Sequence, residues 1–389
     1  MIRIIAVLLW LAAFSFLGCA QENPKADHED EIIPAERLGQ LILVGFRGTE
    51  LTEDSPVYED LTERNIAGVV LFDRDVITGN RSRNIEDPSQ LMQLTNDIIA
   101  SAPTSPIIAV DQEGGLVSRL KESKGFPESV SAEYLGNLDN EDSTRHYARI
   151  MAQEFMVVGT NTNFAPVLDV NTNPDNPVIG KLERSYSSNP IKVAEHAGYT
   201  IDEYSKEGML SVLKHFPGHG SSTTDSHLGF TDVTDTWSKE ELIPYRELFA
   251  QDTIRAVMTA HIFNAKIDSV WPATLSDKTI NGLLRDSLGF EGVVFSDDMQ
   301  MDAIREEYGL ETAIQQALNA GVDILIFGNN LVYEEDIAER AIGIIQKLLR
   351  EGKVEKETVE KALARVDALK EEVIAPLCSC MDFLNDPEN

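Results

Sequence analysis

The sequence is 389 residues long, 42% hydrophobic and strongly acidic, with 33 Lys and Arg against 65 Asp and Glu and a formal net charge of −32. A chain of this length and apolar content can bury one large core or two smaller ones, and its composition is not that of a disordered protein. The negative charge argues against nucleic acid or an anionic membrane surface as a partner, because binding to phosphate needs a cationic surface.

The first 18 residues have the pattern of an export signal. One positive charge, on Arg3, precedes an apolar run over residues 4–17 that only Ser15 interrupts. This run is too short to cross a membrane comfortably, and a polar segment follows it at once, as after a cleaved signal. We therefore expect a signal peptide over residues 1–18 and an acidic, flexible tether over residues 19–33.

Cys19, directly after this signal, follows the small residue Gly18. The arrangement resembles the lipobox of bacterial lipoproteins, in which the cysteine becomes the lipidated first residue of the mature chain. The resemblance implies an exported protein, periplasmic or anchored in the outer membrane, that contacts a membrane only through the lipid on Cys19. An uncleaved anchor or a signal without a lipid is the alternative.

Short apolar runs recur along the rest of the chain and are separated by longer amphipathic stretches. The runs are typical of buried strands, and the stretches between them are typical of helices, several with a Ser or Asp cap at the start and Gly at the end. Eight runs are predicted to be strands: residues 41–46, 66–72, 106–111, 162–170, 210–215, 256–262, 292–298 and 322–328. Eight strands that alternate with helices predict a (β/α)8 barrel of the TIM type.

The domain organisation follows from the same pattern. We expect one α/β catalytic domain over residues 34–376 and a C-terminal tail over residues 377–389, whose cysteines, Cys378 and Cys380, do not form a spaced disulfide framework. An open, doubly wound sheet is the alternative fold. No GxGxxG motif follows the first strand and no point of reversal is evident in the strand order, which favours the barrel.

Charged and imidazole side chains recur where the predicted strands end. They are Asp111, Asp169, Lys214, His215, His261, Asp297 and Asp298. A single charged residue at the end of an apolar strand is usually a solvated end or a cap, but five strands share this feature. Because the catalytic side chains of such barrels lie at the carboxyl ends of the strands, these groups predict a site for a polar, hydroxyl-rich substrate.

The segment KHFPGHGSSTTDSH, residues 214–227, contains three histidines. His215, His219 and His227 together with Asp225 offer enough ligands for a metal ion, but their spacing lies on a loop with Pro and Gly and matches no common metal motif. A phosphate-binding loop would need a GK[ST] ending, which this segment lacks. In a third interpretation, Asp225 accepts a hydrogen bond from one ring nitrogen of His227 and makes the other nitrogen an oriented acid/base.

Residues 214–227 strongly resemble the long motif of glycoside hydrolase family three, in particular of its β-N-acetylhexosaminidase branch. Four further segments agree with that family in order: GQLILVGFRG, VDQEGGLVSRL, NFAPVLDVNTNPDNPVIG and GFEGVVFSDDMQM. The resemblance covers about residues 34–350. It implies that His227 is the proton donor and acceptor, that Asp225 orients it, and that Asp297 is the nucleophile.

The same resemblance implies a set of residues that bind the sugar. These are Asp111, Arg119, Arg184, Lys214 and His215. The segment before Arg184 departs from the family pattern, since three residues in place of one separate Gly180 from this arginine. Asp298, beside the implied nucleophile, occupies a position that varies within the family and is expected to support the site or to be solvated.

The residue types agree with the chemistry that the resemblance implies. Cleavage of a glycoside needs a carboxylate to meet an oxocarbenium-like centre and a proton donor for the leaving oxygen. We therefore expect a retaining, exo-acting β-N-acetylhexosaminidase that releases terminal β-linked N-acetylglucosamine from peptidoglycan- or chitin-derived oligosaccharides, through a covalent glycosyl-enzyme and without a metal or other cofactor.

Four alternatives remain open at this point. A β-glycosaminide phosphorylase is one, because a neutral imidazole admits an incoming phosphate anion. A β-glucosidase on the same scaffold is another. From other classes, the chain is a metal-dependent hydrolase that uses the histidine cluster, or a sugar-binding lipoprotein without catalytic activity.

Overall fold

Eight parallel strands close into a barrel in the computed structural model, which describes residues 33–251 and 253–378. The barrel strands are β1 Ile42–Gly45, β2 Gly68–Leu71, β3 Ile107–Val110, β4 Thr162–Asn163, β5 Leu210–Phe216, β6 Ala256–Thr259, β7 Val293–Asp298 and β8 Ile324–Phe327. Each strand pairs with the next one along the chain, and β8 returns to pair with β1 in the register Ile42 to Leu325. The predicted (β/α)8 barrel is confirmed.

Alternate residues of the strands fill the barrel interior, which explains why the strands are apolar on both faces. The inward side chains form one buried cluster that includes Leu43, Val70, Ala109, Val212, Met258, Phe295 and Ile326. The residues next to them pack outward against the helices, and they include Val44, Val69, Val110, Leu213, Val257, Val294 and Phe327. The core therefore has an inner layer within the sheet and an outer layer between sheet and helices.

Helices follow the strands and cover the outside of the barrel. Within the described ranges the α-helices are α1 Ala35–Leu38, α2 Pro56–Thr62, α3 Pro88–Ser101, α4 Ala132–Leu138, α5 Glu141–Val157, α6 Pro190–Lys206, α7 Ile243–Phe249, α8 Asp302–Tyr308, α9 Leu310–Ala320, α10 Ile337–Arg350 and α11 Lys356–Leu369. Lys278–Ser287 and Lys370–Ile374 form π-helices. The predicted caps are seen, for example where the Asp87 carboxylate accepts a hydrogen bond from the Gln90 N–H at the start of α3.

The fourth strand is shorter than predicted. The apolar run over residues 162–170 predicts a strand, but regular pairing is confined to Thr162–Asn163. Pro166 has no backbone N–H to donate, and the chain pairs again only at Val167, which forms an isolated bridge with Lys214 of β5. This irregular segment leads to Asp169, which lies against the end of β5.

The structure describes only part of the predicted segments at the two chain ends. The predicted signal peptide, Cys19, the tether as far as residue 32, and Cys380 lie outside the described residues. Leu377 and Cys378 were expected in a tail, but both are buried at the end of a helical segment, and Leu377 packs over Gly208. The packed chain therefore continues beyond residue 376. Within residues 33–251 and 253–378, no helix is both long and apolar enough to span a bilayer.

Candidate active site

A cavity of about 290 Å³ opens at the carboxyl ends of the barrel strands. Its polar lining consists of Asp111, Glu113, Arg119, Arg184, Lys214, His215, His227, Asp297, Asp298 and Asn330. Seven of the eight predicted site residues line this cavity, and the eighth, Asp225, reaches it through its hydrogen bond to His227. The structure therefore brings together polar side chains from β3, β4, β5, β7 and β8 or from the loops that follow these strands.

The loop after β3 places Asp111 and Arg119 on the same wall. The side-chain oxygen of Gln112 accepts hydrogen bonds from the backbone N–H groups of Arg119 at 2.7 Å and Leu120 at 2.9 Å, so the loop folds back on itself. The Arg119 guanidinium then lies 3.6 Å from the Asp111 carboxylate. Burial would raise the pKa of Asp111, but the charges of Lys214 and Arg119 outweigh it and lower that pKa.

Glu113 is the centre of a buried ion network that sequence analysis missed. Its carboxylate accepts two hydrogen bonds from Arg184, both at 2.7 Å, and lies 2.6 Å from the ammonium of Lys214. Lys214 also donates to Asp111 at 2.7 Å. Burial alone would raise the pKa of Glu113, but the two cations hold it below its usual range. The network fixes both cations where they line the cavity.

Arg184 lies in this network despite the longer segment before it. Gly180–Leu182 forms a single 3-10 turn, and Glu183 takes a left-handed conformation with φ 57°. The backbone N–H of Arg184 then donates to the carbonyl of Ile179 at 3.1 Å. The residues that depart from the family pattern therefore form a closed turn, and Arg184 still reaches the cavity.

Glu113→Gln is expected to lower the free energy of unfolding by about 3–5 kcal/mol, because it leaves two buried cations with one less partner charge. Chemical denaturation followed by circular dichroism measures this loss. The matched control is Glu311→Gln, which removes a carboxylate from an exposed pair with Lys347 and should change stability little. Equal stability of the Glu113→Gln variant and the parent would show that the network does not hold the fold.

Asp169 orients His215. This fully buried carboxylate lies 2.6 Å from Nδ1 of His215, and Nε2 of the same ring lies 3.1 Å from a nitrogen of Arg184. A carboxylate accepts and a guanidinium only donates, so Nδ1 carries the ring proton and Nε2 accepts. These two contacts therefore fix the orientation and the tautomer of the His215 ring.

The PGHG turn after β5 needs both of its glycines for structural reasons. Gly218 has φ 118°, and a Cβ on Gly220 would lie 1.8 Å from the carbonyl oxygen of Val170. His219 is buried, donates its backbone N–H to Asp169 at 2.7 Å, and has Nε2 3.1 Å from the hydroxyl of Ser226. The turn is therefore a packed anchor for the segment that follows it.

The histidines of this segment do not converge on one point. Each ring has its own partner: Asp169 for His215, Ser226 for His219 and Asp225 for His227. No group of three or more His, Cys, Asp or Glu side chains within residues 33–251 and 253–378 is arranged to hold a metal ion. This geometry favours the acid/base interpretation of the segment over the metal interpretation.

Asp225 and His227 form a hydrogen-bonded dyad at the cavity. One carboxylate oxygen of Asp225 accepts from the backbone N–H of His227 at 2.9 Å and from its ring Nδ1 at 2.7 Å. This bond leaves Nε2 to transfer a proton. Burial would lower the pKa of His227, but the hydrogen bond to Asp225 and the charge of Asp297 raise it. Solvent reaches 46% of the side chain and softens this shift.

Asp297 lies at the end of β7, where three imidazole rings influence the ionisation of its carboxyl group. Burial would raise the pKa of this carboxyl, but the imidazoles and the N–H of Asp298 outweigh it and lower the pKa to about 2. The rings belong to His261, His215 and His227. A buried carboxylate that stays ionised at neutral pH has the charge that a nucleophile needs.

Asp298 has a different environment from its neighbour. One oxygen accepts hydrogen bonds from the backbone N–H groups of Gly328 and Gln300, both at 3.0 Å, and so ties the end of β7 to the end of β8. Burial raises the pKa of Asp298 to about 6. His261, from the end of β6, donates Nε2–H to the Asp298 carbonyl at 3.0 Å. These contacts suit a supporting role at the strand end.

Comparison with known families agrees with this geometry. Residues 34–369 match the glycosyl hydrolase family 3 N terminal domain. The chain belongs to this family of glycoside hydrolases, and the resemblance found in the sequence is confirmed.

The names of individual relatives agree with this family. The chain is 36% identical over 307 residues to a β-hexosaminidase of Nitrosomonas eutropha, covering 75% of this chain and 81% of that protein. It is 30% identical over 373 residues to β-hexosaminidase A of Pseudoalteromonas piscicida, covering 86% of this chain and 60% of that protein. Among solved structures, the family 3 β-N-acetylglucosaminidase of Paenibacillus sp. str. FPU-7 aligns with a TM-score of 0.79 and 32% identity, over 87% of this chain and 62% of the other. The chain therefore spans less than two thirds of two of these relatives.

Proposed function

We propose that the chain is a retaining, exo-acting β-N-acetylhexosaminidase that removes terminal β-linked N-acetylglucosamine from peptidoglycan- or chitin-derived oligosaccharides. The observation that carries this proposal is the pairing of an ionised Asp297 with the Asp225–His227 dyad on one cavity. The names of the N. eutropha and Paenibacillus relatives support the choice of sugar.

The two groups supply the two steps of a double displacement. Asp297 attacks the anomeric carbon while His227, protonated at Nε2, gives its proton to the departing glycosidic oxygen. His227 then takes a proton from water, the water oxygen attacks the anomeric carbon, and the bond to Asp297 breaks. Two inversions at one carbon return the β configuration.

The rest of the cavity suits one sugar ring. Its volume of about 290 Å³ is at the small end of ligand pockets. The buried Glu113 network holds Lys214 and Arg184 in place, so their hydrogen bonds to hydroxyl groups need little reorganisation when a sugar binds. A small cavity with a charged, rigid wall supports removal of one terminal residue at a time.

Turnover of chromogenic β-GlcNAc and β-glucose substrates, with and without phosphate, tests the proposal. We expect hydrolysis of the GlcNAc substrate to exceed that of the glucoside and to be independent of phosphate. A rate that depends on phosphate, with a sugar phosphate as product, would instead identify a phosphorylase. Loss of activity on chelation with rescue by zinc would favour a metal-dependent hydrolase, and no turnover at all would leave a sugar-binding role.

We also propose that the protein is exported and carries a lipid on Cys19, on the support of residues 1–19 alone. Substrates outside the cytoplasm then become accessible to it. Cys19→Ala is expected to move the protein from the membrane fraction to the soluble fraction, because no helix within residues 33–251 and 253–378 could hold it in a bilayer without the lipid. Fractionation of cells that express the parent and the variant measures this, and an unchanged distribution would show that a lipid on Cys19 does not anchor the protein.

A further inference from the structure

The wall of the cavity formed by β8 contains one polar residue that the proposed mechanism does not use. Asn330 follows the end of β8 and lines the cavity together with Val76, Ile326 and Leu331. In the barrel order, β8 is opposite β4, whereas the charged groups around Glu113 come from β5 and from the loops after β3 and β4. Asn330 therefore lies on the far side of the cavity from the charged wall.

The orientation of the Asn330 amide is set by its partners. Its side-chain oxygen accepts a hydrogen bond from the backbone N–H of Val76 at 3.0 Å and another from Arg83 at 3.0 Å. Both partners can only donate, so the atom that faces them must be the amide oxygen. The amide NH2 group is consequently turned away from Val76 and Arg83.

The contacts of Arg83 hold this orientation firmly. Its side chain is fully buried, and it donates to the carbonyl oxygens of Phe46 at 2.9 Å and Asn329 at 2.8 Å. It also pairs with Asp75 at 3.1 Å. If the Asn330 amide rotated, Arg83 would have to move to keep a hydrogen bond to it. Because Arg83 has several other fixed partners, that movement would leave buried polar groups unpaired, which is costly.

The amide nitrogen of Asn330 is left without a protein partner. Among the described residues, Asn330 takes part in hydrogen bonds only through its oxygen, and its nitrogen is not among the buried side-chain atoms that lack both a partner and solvent. The residue is 8% exposed and lines the cavity, so we expect the nitrogen to face this space. A preoriented donor in a largely apolar wall forms a stronger bond to a ligand than the same donor in water.

We infer that Asn330 is a substrate-binding residue whose Nδ2–H group donates to a hydroxyl oxygen of the sugar, on the ring edge away from Lys214 and Arg184. This inference rests on the proposed function, because it takes a glycoside as the ligand. The Asn330 amide thus completes the hydrogen bonding of a sugar ring whose other edge faces Lys214 and Arg184.

The test compares Asn330→Ala and Asn330→Asp with the parent on an aryl β-N-acetylglucosaminide and on its 3-, 4- and 6-deoxy analogues. Asn330→Asp keeps an oxygen for Arg83 and Val76 and replaces only the donor, so it preserves the packing of this wall. On the full substrate we expect kcat/KM to fall about tenfold to a hundredfold in both variants. On the one analogue that lacks the partner hydroxyl, parent and variant should differ by less than about threefold, as a double-mutant cycle requires for a direct contact.

Asn329→Asp is the matched control. Both ends of the Asn329 amide bond to protein: its oxygen accepts from Gln300 and its nitrogen donates to the Glu334 carbonyl. Any loss in this variant should be the same on every analogue. Equal losses across all analogues for the Asn330 variants, or no loss, would overturn the inference. Absence of turnover by the parent enzyme would be a failure of the proposed function, which the parent assay alone reports.

Discussion

Asp297→Ala is expected to lower kcat by about 10⁴-fold or more on every β-N-acetylglucosaminide. The variant lacks the carboxylate that forms the covalent intermediate, and no other side chain at the end of β7 replaces it. Steady-state kinetics measure the loss, and a melting curve shows whether the fold is intact. Residual turnover within about tenfold of the parent would exclude Asp297 as the nucleophile.

Asp298→Asn is the matched control for this loss. The amide keeps an oxygen that accepts from the N–H groups of Gly328 and Gln300, so the link between β7 and β8 is preserved. We expect kcat to change by about tenfold or less. If this variant were as inactive as Asp297→Ala, the nucleophile would have to be reassigned among the carboxylates at the strand ends.

His227→Ala is expected to lower kcat/KM for poorly activated glycosides by about 10²–10⁴-fold, and much less for aryl glycosides with good leaving groups. The reason is that kcat/KM reports formation of the glycosyl-enzyme, and a good leaving group departs without protonation. Comparing kcat/KM over a series of leaving groups of increasing basicity measures the effect. Equal losses along the whole series would mean that His227 binds the sugar and does not transfer protons.

Asp225→Asn should shift the pH profile of kcat/KM. The Asp225 carboxylate raises the pKa of His227, so in the parent the protonated ring persists to higher pH, and kcat/KM falls as pH rises through that value. Without the carboxylate the alkaline limb should move to lower pH. The acid limb should not report Asp297, whose pKa is about 2. An alkaline limb that did not move would show that Asp225 leaves the proton affinity of His227 unchanged.

Most of the barrel could be predicted because its strands are buried on both faces. Runs such as 41–46 and 66–72 have no polar residue in their interior, and they lie between segments with helical periodicity. The end of the fourth strand could not be predicted from the sequence in the same way. Its apolar run continues past Pro166 because these residues are buried, whereas its regular strand pairing ends at Asn163.

The position of the candidate site could be predicted because parallel strands end at one edge. Asp111, Lys214, His215 and Asp297 each lie at the carboxyl end of a buried strand or directly after it, and the barrel brings them to one cavity. Their chemical roles are still predictions. The dyad of Asp225 and His227 was also visible in the sequence, since a carboxylate two residues before a histidine is a local feature.

Contacts between distant loops could not be predicted. Glu113 and Arg184 are 71 positions apart, and nothing in the sequence around either residue indicates the other. The signal that was overlooked is that Glu113 is a second carboxylate two residues after Asp111, at the end of a strand. The orientation of Asn330 depends on Arg83, which is 247 positions away, and so became visible only in the folded chain.

A covalent bond between Asp297 and the anomeric carbon can be detected by trapping the glycosyl-enzyme. The parent enzyme is treated with an activated, fluorinated β-N-acetylglucosaminide whose glycosyl-enzyme is hydrolysed slowly, and its peptides are analysed by mass spectrometry. We expect one added sugar on the peptide that contains Ser296 to Met299, with fragmentation locating it on Asp297. A sugar on Asp298 or on another strand-end carboxylate, or a product released with inverted configuration, would show that Asp297 is not the nucleophile.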